Sequence, residues 1–172
     1  TEIQINALEP HPTLAGGLYL AATAYKSDDF RPYLFKTTDY GKHWQRIDRG
    51  IDRAHFTRVI RADLQRPGLL FAGTERGVYL SHDDGEHWQA MPLNLPVVPI
   101  TDLAVKGDDL IAATQGRGYW ILDDLSVLRQ FDQIASQAAL HLFTPSVSWR
   151  LDQGSTENPE HMGQNPPAGI RI

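Results

Sequence analysis

Short apolar runs separated by turn-forming residues recur along this chain, and they recur in the same order. A middle unit runs Val59-Ile60-Arg61-Ala62, Leu69-Leu70-Phe71-Ala72-Gly73-Thr74, Gly77-Val78-Tyr79-Leu80-Ser81 and His87-Trp88-Gln89-Ala90. Before it stand Ile5-Asn6-Ala7-Leu8, Leu18-Tyr19-Leu20-Ala21-Ala22-Thr23, Tyr33-Leu34-Phe35-Lys36-Thr37 and Trp44-Gln45-Arg46-Ile47. After it come Ile100-Thr101-Asp102-Leu103-Ala104-Val105, Leu110-Ile111-Ala112-Ala113-Thr114 and Gly118-Tyr119-Trp120-Ile121-Leu122. The runs are rich in Val, Ile, Leu, Tyr and Phe. Gly16-Gly17, Arg66-Pro67-Gly68 and Lys106-Gly107-Asp108-Asp109 punctuate them, which predicts short antiparallel strands. Only a weak helical periodicity across residues 131–142 competes, and it reads equally as one short helix or the tail of a strand.

Four strands per unit, at a repeat of about 40–50 residues, is the pattern of a propeller blade. The expected fold is all-β: a partial β-propeller of two to three four-stranded blades, followed by an extended linker. The blades fall at about 1–50, 51–95 and 96–143, and the linker at 144–172, where Gly, Pro, Asn and Glu accumulate. Trp149, at the start of that stretch, is expected to pack on the propeller in preference to binding a sugar.

Two segments share a stricter pattern: Thr37-Thr38-Asp39-Tyr40-Gly41-Lys42-His43-Trp44 and Ser81-His82-Asp83-Asp84-Gly85-Glu86-His87-Trp88. A hairpin between the third and fourth strands explains the spacing. The Asp carboxylate can accept from backbone N–H groups of its own turn, and the Gly can take φ > 0. The Trp opens the outer strand and can cover the turn. These turns resemble the Asp-box, or bacterial neuraminidase repeat, of sialidases, some xyloglucan-degrading enzymes and sortilin-type propellers. On that resemblance Thr37, Asp39, Gly41, Trp44, Ser81, Asp83, Gly85 and Trp88 are structural, not catalytic. The family commonly has Thr or Ser where His43 and His87 stand. In the third unit Asp124 falls in register with Asp83, but Leu125-Ser126 replace Asp84-Gly85 and Arg129 replaces the Trp, so the box has decayed.

The stretches Arg66-Pro67-Gly68-Leu69-Leu70-Phe71-Ala72-Gly73-Thr74-Glu75-Arg76-Gly77 and Gly116-Arg117-Gly118-Tyr119-Trp120-Ile121-Leu122-Asp123-Asp124-Leu125 resemble the closing blades of bacterial sortilin-like or glycosyl-hydrolase-like exported proteins. In that family a segment similar to Gly163-Gln164-Asn165-Pro166-Pro167-Ala168-Gly169 leads into a C-terminal β-sandwich. The resemblance implies a periplasmic or extracellular location and a bacterial parent. It implies no sorting-receptor role, because the sortilin cysteine module is missing.

Composition narrows the classes. The net charge of −5 over 172 residues offers no basic face for nucleic acid. The apolar stretches are too short and broken for a membrane span. Cysteine is absent, which removes disulfides and thiolate chemistry together. No signal-peptide pattern is visible and the first residue is Thr1, which reads as a processed or excised segment. No cofactor is expected. His82 and His87 straddle one turn without a third ligand nearby, so no metal is expected either.

No nucleophile elbow, phosphate-cradling loop or helical zinc pair occurs. Asp28 and Asp29 could supply one member of a glycosidase carboxyl pair, although loop carboxylates are ordinarily just solvated. Hairpin parity does yield a candidate face. In a four-stranded blade the second hairpin loop and the blade-to-blade link share the rim opposite the Asp boxes. That rim gathers the longest insertion, at 25–32, with Tyr25, Asp28, Asp29 and Phe30, and adds Arg53, His55, Arg76 and Arg117. Arg forks suit carboxylate or sugar oxygens, and Tyr25 or Phe30 could stack on a ring. The expected partners are further blades of a longer parent or copies of this chain, with protein or glycan as ligand. Three functions remain open: a non-catalytic binding propeller, part of a glycoside hydrolase whose catalytic carboxylates lie mostly elsewhere, or a purely structural role as the closing wedge of a larger ring.

Overall fold

The structure, a computed structural model, describes residues 2–131 and 141–146. Two compact units divide the chain, 1–125 and 126–172. Most of the proposed linker, Trp149 and residues 132–140 lie outside the described residues.

The first unit is three antiparallel sheets in chain order. Strands β1 (Gln4–Pro10), β2 (Leu18–Ala24), β3 (Asp29–Thr37) and β4 (Gln45–Arg46) form the first. Strands β5 (Thr57–Ala62), β6 (Leu70–Thr74), β7 (Gly77–Ser81) and β8 (Gln89–Ala90) form the second. Strands β9 (Ile100–Lys106), β10 (Asp109–Thr114) and β11 (Tyr119–Leu122) form the third. Each strand pairs with its successor, so the sheets are meanders, the blade of a partial β-propeller. The repeat holds in register: Leu18 faces Thr37, Leu70 faces Ser81, and Leu110 faces Leu122. A bulge recurs at the same place, where the first-strand partner skips Asn6, Arg58 or Thr101.

The third sheet has no fourth strand among the described residues. Chain 126–131 instead begins with a one-turn helix, α1 (Ser126–Arg129). The reason is local. In the second sheet Gly85 takes φ +89 to reverse the chain towards β8. Ser126 stands at that position in the third unit, where a side chain disfavours the left-handed turn.

The core lies between sheets. Ala7, Tyr19, Ala21, Leu34 and Ile47 of the first sheet and its exit pack on Ile60, Ala62, Leu70, Ala72, Tyr79 and Trp88 of the second. Alternation along each strand presents these side chains to one face, and each large aliphatic buried there contributes about 1.5–3 kcal/mol. Strand β6, flanked on both faces, is buried throughout. Trp88 staples the seam: its Nε1 donates to the Ile47 carbonyl at 2.5 Å, and its amide donates to the Arg49 carbonyl at 2.9 Å.

Polar groups cross the seams as well. The Tyr19 hydroxyl donates to the Asp84 carboxylate, and Lys36 Nζ reaches Asp84 Oδ2 at 2.9 Å. Burial, then the Asp84 hydrogen bond, push the Tyr19 phenol far above its ordinary value and keep it a donor. Arg61 links all three sheets, lying 3.6 Å from Glu9 and donating to the Leu103 carbonyl at 2.8 Å and to Asp102 at 2.7 Å.

Candidate functional site

The two Ser/Thr–Asp–Gly–Trp turns are closed on themselves. In the first, the Thr37 hydroxyl lies 2.9 Å from Asp39 Oδ1 and accepts the Gly41 amide at 3.0 Å. Asp39 Oδ1 then accepts the His43 amide at 2.9 Å, while Oδ2 meets His43 Nδ1 at 2.6 Å. The second repeats this: Ser81 to Asp83 at 2.9 Å, Gly85 to Ser81 at 3.0 Å, and His87 to Asp83 at 2.8 Å through both amide and ring. The His43 amide, followed by its ring, lowers the Asp39 carboxyl to about 2. Burial pulls the Asp83 carboxyl up, but the His87 amide and ring and the Ser81 hydroxyl outweigh it and leave it below its ordinary value. Carboxylates held this way organise a turn and stay ionised at neutral pH, with their oxygens already engaged.

The two tryptophans differ. Trp88 is buried between sheets, whereas Trp44 is 41% exposed and its Nε1 donates within its own turn, to the Gly41 carbonyl at 3.1 Å. Asp124 sits in register with Asp83 but takes φ +65, with its amide on Asp109 at 3.3 Å. No hydroxyl residue precedes it, since Leu122 occupies the position of Ser81.

Hairpin parity is realised on the opposite rim. The Glu75 amide donates to the Phe56 carbonyl at 3.1 Å and the Gln115 amide to the Pro99 carbonyl at 2.9 Å, knitting second hairpin loops to inter-sheet links. Of the expected 25–32 insertion only residues 25–28 form a connection, a 3-10 turn at Tyr25–Ser27 closed by Asp28 at φ 60. Asp29, Phe30, Arg31 and Pro32 instead open β3, where Asp29 pairs with Ala24, because the β2–β3 ladder extends past a bulge to the turn. Phe56, overlooked in the sequence, organises the neighbourhood. Tyr25 stacks on it at 5.0 Å, Phe30 tilts against it at 6.2 Å, and the Arg58 guanidinium covers it at 5.2 Å.

Several of the expected binding groups have structural partners here. Asp29 holds Arg31 at 2.6 Å and the Tyr33 hydroxyl at 2.7 Å. The Arg31 guanidinium, then that hydroxyl, keep the Asp29 carboxyl well below its ordinary value. A carboxyl so held is a poor general acid. His55 Nδ1 meets the Tyr79 hydroxyl at 2.8 Å. Arg53, Arg76 and Arg117 are exposed on the rim. Nothing in the sequence marked Phe56 or Arg31 apart from their aromatic and basic character within loop-adjacent stretches.

A cleft of about 390 Å³ opens beside Tyr25, lined also by Gln4, Thr23, Ala24 and Lys26. Its size suits a small ligand or one or two sugar rings. The Thr23 hydroxyl is buried at its wall and has no hydrogen-bond partner. Among the described residues no three His, Asp or Glu side chains converge as a metal site, and no helix is long and apolar enough to cross a membrane.

No protein-family model matches the chain, and no curated protein sequence matches it. Solved structures do. An ancestral GH74 enzyme aligns at TM-score 0.53 and 21% identity, over 66% of this chain and 14% of that one. The GH74 enzyme of Niastella koreensis aligns at 0.54 and 20%, over 70% of this chain and 21% of that one. YCF48 bound to D1 peptide aligns at 0.50 and 18%, over 70% and 36%. These are β-propeller proteins, and the likeness is one of fold. The chain spans well under half the length of each.

Proposed function

We propose that this chain is a run of blades from a longer, exported Asp-box β-propeller that binds protein or glycan, with no complete active site of its own. The two closed turns are read as Asp boxes with a structural role. Binding is assigned to the opposite rim, around residues 25–32, with Arg53, His55, Arg76 and Arg117. The observation that carries this reading is the cleft beside Tyr25, whose buried Thr23 hydroxyl has no partner within the protein. A buried hydroxyl without a partner is costly, and a ligand oxygen placed there relieves it. Phe30 and Tyr25 remain 46% and 38% exposed although both pack on Phe56, which leaves ring surface for stacking. Exposed Arg76 and Arg117 suit anionic or hydroxylated ligands.

The test is titration of the chain with acidic and neutral oligosaccharides, alongside Tyr25→Ala at the cleft and Arg76→Ala on the rim. Saturable binding weakened several-fold by either substitution supports the assignment. Undiminished binding by both, or ligand located on the rim of the closed turns, overturns it. The second reading, a share of a glycoside hydrolase with its catalytic carboxylates mostly outside this segment, draws on the fold likeness to GH74 enzymes. Arg31 and Tyr33 on Asp29 count against a catalytic pair at 28–29.

A further inference from the structure

The second hairpin loop of every sheet carries a cation. Lys26 stands in the turn after β2, Arg76 in the turn after β6, and Arg117 in the turn after β10, and all three are exposed. Each turn is braced by its own chain. The Asp28 amide donates to the Tyr25 carbonyl at 3.0 Å, the Arg76 amide to the Thr74 hydroxyl at 3.1 Å, and Trp120 Nε1 to the Arg117 carbonyl at 3.1 Å. Other cations belong to the fold: Arg31, Lys36, Arg46, Arg58 and Arg61 each pair with a carboxylate. Among the described residues, the side chains of Lys26, Arg76 and Arg117 pair with none.

Carboxylates of the same rim are largely engaged. Glu75, beside Arg76, accepts from Arg58 at 2.9 and 2.7 Å, and Asp29 is held by Arg31 at 2.6 Å. Glu2 and Asp28 stay exposed near Lys26, so the positive character is strongest at Arg76 and Arg117. The tips also belong to one surface. The Tyr25 ring, next to Lys26, stacks on Phe56, whose carbonyl accepts the Glu75 amide at 3.1 Å. Beyond it β6 and β9 lie so close that a Cβ on Gly73 would meet Ile100 at 2.7 Å. Packed sheets stand about 10 Å apart, which puts the outer two tips about 20 Å apart. Blades before or after this segment would lie alongside the row, not over it.

We propose that this row is a track for an acidic polysaccharide, one carboxylate-bearing sugar chain lying across successive loop tips. The proposal rests on the reading of this rim as the binding face and names its ligand. A small acid reaches one tip, whereas a chain reaches all three, each further contact being made at high effective concentration. Arg76 and Arg117 take carboxylates through forked hydrogen bonds. At the Lys26 end the cleft takes a sugar ring, with the buried Thr23 hydroxyl meeting a sugar hydroxyl and the half-open Tyr25 ring covering an apolar sugar face. That end favours a glycan over an acidic peptide. The other rim carries Asp39, Asp83, Asp84 and Glu86, and repels the same ligand.

The test is calorimetric titration of the full chain with galacturonate, a short and a long oligogalacturonate, and a cello-oligosaccharide matched in length to the long acid. Affinity rises by about ten-fold or more from the monomer to the long acid. The matched neutral glycan binds more weakly than the long acid, and added salt closes that gap. Arg76→Gln and Arg117→Gln each weaken the long acid by about three-fold or more, and together they remove most of the advantage of length. Both side chains are exposed and unpaired, so unfolding midpoints in urea stay in place and separate lost binding from lost folding. A neutral glycan bound as tightly as the acid overturns the proposal but leaves the rim as a binding face, whereas no glycan binding at all overturns both. Affinity independent of length, undiminished binding by the double variant, or polyglutamate of matched charge bound as tightly as the acid also overturns the proposal.

Discussion

Asp39 shows how much one carboxylate can organise. One oxygen takes the Thr37 hydroxyl and the His43 amide, and the other takes the His43 ring. Because its folded value is depressed from 3.8 to about 2, its contribution to stability is complete above the ordinary value. That contribution disappears as pH falls through about 2. Urea unfolding across this range should therefore show a steeper acid decline in the wild type than in Asp39→Asn, between about pH 4 and about pH 2. Parallel declines would show that the depressed carboxyl contributes nothing. The turn was legible in the letters, because Thr, Asp, Gly and Trp at fixed spacing each have a conformational reason to be there. The fate of the two tryptophans was not. Trp44 and Trp88 occupy identical places in the pattern, yet one is buried and the other open, since burial depends on a neighbouring sheet rather than on the turn.

At the scale of elements, the strands were readable because half-buried sheets alternate and turns need Gly, Pro or Asp. Seam chemistry was hidden, as it joins Lys36 to Asp84 across 48 residues of chain. Lys36 is 12% exposed in its side chain, so removing its partner strands a nearly buried cation. Asp84→Leu should cost about 1–3 kcal/mol, with the Tyr19 hydroxyl also losing its acceptor. The triple variant Tyr19→Phe/Lys36→Leu/Asp84→Leu, whose strand positions then match Phe71 and Leu80 of the next sheet, should recover the share of that loss owed to the stranded polar groups, while the strain of Leu at φ 59 stays in both variants. Urea midpoints measure both. A triple variant no more stable than Asp84→Leu would mean that the polar couple is not the unit of the seam. The candidate rim was legible only in part: parity placed the loops, but the packing of Tyr25 and Phe30 on Phe56 and the closure of Asp29 by Arg31 depend on side-chain geometry.

Across the whole molecule, protection should follow position in the row of sheets. The second sheet is covered on both faces, and β6 is buried from end to end, whereas Ile5 and Leu8 of β1 and Tyr119 and Ile121 of β11 are exposed. Local opening is cheapest where few apolar contacts are lost. Amides of β6 should exchange slowest, with β1 and β11 faster, under conditions where the chain is unassociated. Equal protection across all three sheets would mean that they open as a single body.

The staple at Trp88 also bears on the order in which the protein is made. Trp88 completes hydrogen bonds of Ile47 and Arg49, residues synthesised some forty positions earlier. The first sheet is thus finished only when the turn of its successor emerges from the ribosome, so that its assembly trails translation by one repeat. A nascent chain halted just before Trp88 would hold the first sheet with its strands paired but its exit carbonyls open. Extending the chain by those last residues should protect the first sheet from protease.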